Sequence, residues 1–144
     1  MYSSTGQKMK KSKTLSQLHK IFWKIFSEYS RRKFADRNGY VACCSCGQIH
    51  HWKEMDAGHY ISRIHLAVKY DDMNVHAQCK GCNAFKQGNP VGYRQFLVRR
   101  YNEKAVQALE DRRSFPAGFT RDGLQLRIME YKAKLSELNA KESI

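Results

Sequence analysis

Apolar residues recur at steps of three and four across residues 14–36. Leu15, Leu18, Phe22, Ile25 and Tyr29 form one stripe, and Ile21 and Phe26 widen it. That period predicts an amphipathic helix. Lys20, Lys24, Arg31 and Arg32 fall mostly off the stripe, and Asn38-Gly39 closes the segment. Beyond it the helical period is lost until about Ala77. Segments 54–61 and 69–75 read as two short strands joined by a loop. A helix is expected from about Ala77 to Gln87, ended by Gly88-Asn89-Pro90. Residues 91–112 are helical in pattern again, with Tyr93, Phe96, Leu97 and Tyr101 on one side. Residues 114–118, containing Pro116, turn the chain. In a last helix over 121–140, Leu124, Ile128, Tyr131, Leu135 and Leu138 step by four and three. This seam resembles coiled-coil spacing and serves either the chain's own core or a dimer contact. There is no internal repeat.

The pattern predicts an α+β protein with a short central core and helices at both ends. It divides into a basic arm (1–13), an N-terminal helix (14–39), the core (40–101) and a C-terminal helical segment (102–144). With 144 residues, 42% of them hydrophobic, such a core is affordable but not generous. A metal staple would help its loop-rich centre.

Charge narrows the function. Lys and Arg number 26 against 13 Asp and Glu, a formal net of +13. Such an excess favours polyanions, nucleic acid first and anionic membrane second. No apolar run approaches the ~20 residues of a membrane span, so no membrane partner is expected. The arm carries Lys8, Lys10, Lys11 and Lys13 and lacks the apolar stretch of a secretory signal. It reads either as a phosphate-contacting arm or as a solvated tail. A cytosolic setting keeps thiols reduced, and five cysteines there point to metal before disulfides.

Cys43 and Cys46 form one CxxC pair, and Cys79 and Cys82 a second. Two-residue gaps let each knuckle supply two sulfurs, and four thiolates close a tetrahedral Zn²⁺ site. A redox dithiol usually stands alone at a helix start in a βαβ setting, which is missing here. One structural zinc per chain is expected, with Cys44 either a bystander or a replacement for a neighbouring ligand. A four-cysteine site keeps no open position for water, so the chemistry must lie elsewhere.

Between the knuckles lies Asp56-Ala57-Gly58-His59-Tyr60, and Asn83 directly follows the second. Phosphodiester hydrolysis needs a base on one side of phosphorus and a hard cation on the other. A neutral histidine suits the first role. A carboxylate and an amide oxygen suit Mg²⁺ or Mn²⁺. His59 is therefore read as the base, with a packed strand histidine as the alternative. Asp56 and Asn83 are read as ligands of a catalytic cation, with a turn residue and a helix cap or brace as their alternatives. His76 is expected to touch phosphate, to join the metal or to brace the site. Arg63, Lys80, Lys86 and Arg94 are the candidate phosphate contacts, with solvation as the alternative for Lys86. His50 and His51 read as exposed or near DNA, and His19 and His65 as bland.

The order CxxC…DxxH…CxxCN resembles the ββα-metal (HNH-like) nucleases, and is similar in particular to phage T4 endonuclease VII, a Holliday-junction resolving enzyme. The stretches MDAGHYISR (55–63) and NVHAQCKGCNAFKQGN (74–89) resemble still more closely the lambdoid phage NinG (Rap) recombination endonucleases. The resemblance covers roughly residues 40–100. It implies a zinc-stapled ββα-metal core, a metal bound by Asp56 and Asn83, and His59 as base. It also implies that Asn74 braces the loop presenting His59. The expected activity is cutting of Holliday junctions and branched DNA in the bacterial host's cytoplasm, with a homodimer making paired incisions. A general HNH nicking enzyme would share every motif. A non-catalytic zinc-ribbon DNA-binding protein would leave Asp56, His59 and Asn83 unexplained.

Overall fold

The computed structural model describes Gly6 and residues 11–142, so most of the expected basic arm, Lys8 and Lys10 included, lies outside the described residues. Helix α1 spans Leu15–Arg32. It starts where the sequence allows two free amides to be satisfied at once. The Thr14 side chain accepts from the Gln17 amide, and the Gln17 side chain accepts from the Thr14 amide. Strands β1 (Tyr40–Ala42) and β2 (Ile49–His51) pair antiparallel around the first cysteine knuckle. Strands β3 (Asp56–His59) and β4 (Val75–Gln78) form a second antiparallel hairpin, with Asp56 opposite Gln78 and His59 opposite Val75. A single wide turn of π type, Gly81–Phe85, follows. Helices α2 (Pro90–Arg100), α3 (Glu103–Asp111) and α4 (Arg121–Glu142) complete the chain.

Several boundaries differ from the pattern reading. The second strand is 75–78, not 69–75. Residues 69–74 instead make turns, ending in the 3₁₀ turn Asp72–Asn74. All four residues of β4 are buried, so it carries no alternation to read. The helix expected from Ala77 shrinks to one turn because Ala77 and Gln78 belong to β4. The helix expected over 91–112 is two, broken at Asn102, whose φ of 114° no helix accepts. The hairpin of β1 and β2 had no signal in the periodicity, being only three residues on each side.

Helices α1 and α4 run side by side in the same direction. His19 meets Phe119 near their starts, while Arg32 reaches Asn139 and Glu142 near their ends. Their facing stripes close on Leu18, Phe22, Phe26, Leu124, Ile128 and Tyr131, with Tyr70 and Val75 supplied by the central region. The C-terminal seam therefore packs on the chain's own core through Leu124, Ile128 and Tyr131. The rings of Phe22 and Phe26 each meet that of Tyr131 edge to face, at 5.5 and 5.0 Å, a favoured aromatic geometry. Lys33, just past α1, donates to the carbonyls of Asp72 and Val75 and pairs with the Asp72 carboxylate at 2.9 Å. That buried ammonium fastens the end of α1 to the start of β4.

Two further clusters surround the hairpin. One joins Ile61 and Val68 of the 60–74 loop to Tyr93, Leu97, Val106 and Leu109 of α2 and α3. The other gathers Val41, Met55 and Ala77 about the cysteines. Phe26 is fully buried between α1 and α4. Phe26→Ala should therefore lower the free energy of unfolding by about 3–5 kcal/mol. Urea denaturation followed by far-UV circular dichroism measures this, and a loss below about 1 kcal/mol would show that the α1–α4 contact is not a main support.

Candidate metal centre and active-site cleft

The sulfurs of Cys43, Cys46, Cys79 and Cys82 all lie within 4.8 Å of one another, and those of Cys46 and Cys79 are 3.7 Å apart. Tetrahedral Zn²⁺ with Zn–S near 2.3 Å requires sulfur separations of roughly 3.8 Å. The cluster can thus hold a structural zinc. Backbone amides already point at these sulfurs: Ser45 and Cys79 donate to Cys43, and Cys82 donates to Cys79, at 3.3–3.4 Å. The Asn89 side chain donates to Cys82. Such donors favour thiolate over thiol. Cys44 points away into the cluster with Tyr93 and Leu97, and burial pushes its thiol far above the usual range. Its backbone amide donates to the Ala77 carbonyl at 2.9 Å, which binds the first knuckle to β4.

Gln78 extends this junction. Its side-chain amide donates to Ser45 at 2.8 Å and to the Gly88 carbonyl at 2.7 Å. A Cβ on Gly58, across the hairpin, would overlap the Gln78 side chain, so glycine is required there. The two knuckles, the hairpin and the turn carrying Asn83 are thereby locked as one unit.

On this frame a cleft of about 710 Å³ opens between α1, the hairpin and the π turn. Asp56, His59 and Asn83 all line it. Asp56 Oδ2 accepts from the Asn83 amide at 3.0 Å, and Oδ1 pairs with Lys80 Nζ at 2.9 Å. Partial burial works against the charged carboxylate. The hydrogen bonds from Lys80 and Asn83, with the charges of Lys80 and Arg31, outweigh it and hold the pKa below its ordinary value. His59 lies parallel to Trp23 of α1, ring centroids 5.3 Å apart. Its Nε2 is 2.9 Å from the Lys69 carbonyl. A carbonyl only accepts, so Nε2 carries the proton and Nδ1 keeps the lone pair. Burial is the largest influence on this imidazole. With the charges of Arg63 and Lys69 it overrides the Lys69 carbonyl and lowers the pKa.

Asn74 is fully buried. It accepts from the Ile61 amide at 2.8 Å and donates to the Ile61 and Val68 carbonyls at 2.9 and 3.0 Å. It clasps both arms of the loop that begins at His59, as a brace does.

Two expectations are corrected. His76 does not reach the cleft. It is 1% exposed, its nitrogens meet the hydroxyls of Tyr93 and Tyr101, and burial keeps it neutral by lowering its pKa well below the usual value. It braces the back of the hairpin, the bland member of the roles expected for it. Arg94 lines a separate pocket, and its guanidinium pairs with Glu103 at 2.6 Å and Glu110 at 3.0 Å. Its charge is already matched. Lys80 and Arg63 do line the cleft, whereas Lys86 is exposed and outside its lining. Motif reading missed Trp23, Arg31 and Lys53, which also line it. The Arg31 guanidinium is anchored by the Ser27 carbonyl at 3.1 Å and lies 5.2 Å from the Trp52 ring. The one available signal was that Arg31 falls off the apolar stripe of α1.

A family model described as Bacteriophage Lambda NinG protein matches residues 3–142. The chain is 32% identical to protein ninG of Salmonella phage P22 over 109 residues, which cover 75% of the chain and 53% of that protein. Protein ninG of Escherichia phage lambda is 31% identical over 109 residues, covering 75% of the chain and 52% of that protein. Protein ninG of Escherichia phage 933W is 37% identical over 76 residues, covering 52% of the chain and 37% of that protein. The chain thus spans about half the length, or less, of these relatives. No solved structure matches it.

The cysteine geometry has a direct consequence. Purified protein should carry one zinc per chain by mass spectrometry of metals. Cys82→Ser should lose it and melt at clearly lower temperature, whereas Cys44→Ser should retain it. Full zinc occupancy in Cys82→Ser, or its loss in Cys44→Ser, would reassign the ligand set.

Proposed function

The chain belongs to the bacteriophage lambda NinG protein family, and on that premise we propose that it is a divalent-metal-dependent DNA endonuclease with a ββα-metal site. Its proposed substrates are Holliday junctions and related branched DNA. One observation carries the reading: His59, Asp56 and Asn83 share a cleft whose other charged side chains, Arg31, Lys53, Arg63 and Lys80, are all cations. A neutral base beside two hard oxygen donors, in a basic cleft, suits hydrolysis of a phosphodiester.

The residues fit a magnesium-sized cation. Asp56 and Asn83 are already in contact, and an amide presents its oxygen on rotation about its last side-chain bond. Two protein oxygens leave the remaining positions for water and phosphate, as Mg²⁺ prefers. Lys80, 67% exposed, holds Asp56 in an ion pair of a kind worth at most about 1 kcal/mol, which a divalent cation can displace. Bound there, Mg²⁺ or Mn²⁺ supplies Lewis acidity to the scissile phosphate and the leaving oxygen. Nδ1 of His59 takes the proton of the attacking water. The Lys69 carbonyl on Nε2–H and the stacked Trp23 ring fix the direction of that lone pair and support the imidazolium that forms. Arg31, Lys53 and Arg63 bind the phosphates on either side. The products carry 5′-phosphate and 3′-hydroxyl ends. Paired incision calls for two sites, hence a homodimer. Leu126 and Met129, 66% and 68% exposed on α4, are apolar surface of the kind such a contact covers.

The test compares an end-labelled four-way junction with the linear duplex of the same sequence, with and without Mg²⁺. Paired cuts confined to the junction, dependent on Mg²⁺ and reduced about 10²–10⁴-fold in His59→Ala, are the expected result. Equal cutting of both DNAs would make the protein a general HNH nicking enzyme. Binding without cleavage under any divalent metal would make it a zinc-ribbon DNA-binding protein.

The pH profile gives a second check. A histidine base works only when neutral. With the imidazole pKa lowered, the acid limb of kcat/KM should be centred below 6.5. An acid limb in kcat/KM centred at or above 6.5 would remove His59 from that role.

A further inference from the structure

A second pocket, of about 440 Å³, adjoins the cleft and shares Trp23, His59 and Arg63 with it. Its apolar wall is made by Trp23, Tyr70, Ile64 and Leu66. Ile64 and Leu66 are 75% and 42% exposed. Both stand on the 60–74 loop, whose backbone Asn74 holds on either side of them at Ile61 and Val68. Among the described residues, the charges around the pocket are those of Lys20, Arg63 and Lys69, and no carboxylate lines it. Apolar faces ringed by unopposed cations, one side chain away from a phosphate-binding cleft, match a nucleotide: base against the wall, phosphates against the cations.

We propose that this pocket takes an unpaired nucleobase of the strand whose scissile phosphate lies beside His59. The proposal rests on the nuclease reading above and adds a substrate preference to it. A base inside a duplex is stacked and paired and reaches such a pocket only at the cost of extrusion. A base at a branch point, flap or bubble is already free. Selectivity for branched DNA would then come in part from one subunit's own site, and not only from the spacing of two sites in a dimer. Trp23 links the two events, since the ring that stacks on His59 also walls the base pocket. The lysine-rich N-terminal arm, which carries the same sign of charge as the rim, is a poor occupant.

Fluorescence anisotropy tests this with the zinc-loaded protein, no other divalent cation being added. Three DNAs of one sequence serve as probes: a full duplex, the same duplex with a short central bubble, and that bubble with its unpaired residues made abasic. The phosphates are common to both bubbles, so their difference reads base recognition alone. The base-bearing bubble should bind about tenfold more tightly than the abasic one. That advantage should fall to about twofold or less in an Ile64→Ser/Leu66→Ser variant with unchanged zinc content, while duplex affinity stays the same. Equal affinity of the parent protein for both bubbles overturns the proposal and leaves the nuclease reading standing. So does an advantage that survives in the variant, or a variant altered only in oligomeric mass, which would make the wall a protein contact. Failure to bind any of the three DNAs overturns both readings.

Discussion

The cleft depends on the convergence of four cysteine sulfurs from two distant knuckles. Neither hairpin has more than four residues in a strand, and two-stranded pieces of that length are marginal alone in water. Bringing Cys43 and Cys46 onto Cys79 and Cys82 joins one hairpin to the turn that follows the other. The Cys44 amide on Ala77 and the Gln78 side chain on Ser45 and Gly88 make the same junction without metal. Asp56 and Asn83, 27 residues apart, come within 3.0 Å because β3 sets Asp56 opposite Gln78 at the end of β4, and the turn carrying Asn83, held by the second knuckle, follows directly. Closing a metal across that junction would make a coordination bond the support for hydrogen-bond geometry nearby.

Around the frame, the helices do more than bury surface. Helix α1 spends its buried stripe on α4, Tyr70 and Val75, and turns Trp23, Ser27 and Arg31 toward the cleft. The Lys33 ammonium, buried against Asp72 and the Val75 carbonyl, sets where that helix ends relative to β4. Asn74 meanwhile holds the long 60–74 loop by three hydrogen bonds that only a buried amide can make together. The loop in turn places the Lys69 carbonyl on His59. A chain of satisfied polar groups thus sets one imidazole's tautomer from two sides of the structure.

The charge of the molecule is not spread evenly in effect. Several cations are consumed internally: Arg32 on Glu28 and Glu142, Arg94 on Glu103 and Glu110, Arg112 on Asp71. Among the described residues, those lining the cleft face a single carboxylate, Asp56. The cleft therefore keeps an excess of positive charge where a polyanion is proposed to bind.

Much of this was legible in the chain. The stripes of α1 and α4 follow from the 3.6-residue period, and the α+β mixture from its loss between them. Cys43, Cys46, Cys79 and Cys82 declared themselves through spacing, and Asp56, His59 and Asn83 through their position against those cysteines. Local order suffices for such features because ligand spacing and helical period are properties of a few adjacent residues. Only the tertiary structure decided the rest. Fully buried β4 has no alternation, so its register was invisible. His76 and Arg94 belong to the same residue types as the groups that line the cleft, and burial against Tyr93 and Tyr101, or pairing with Glu103 and Glu110, removed them. Trp23 and Arg31 reach the cleft from a helix more than twenty residues upstream. Contacts between distant segments depend on how whole elements pack, and no local pattern of residues records that packing.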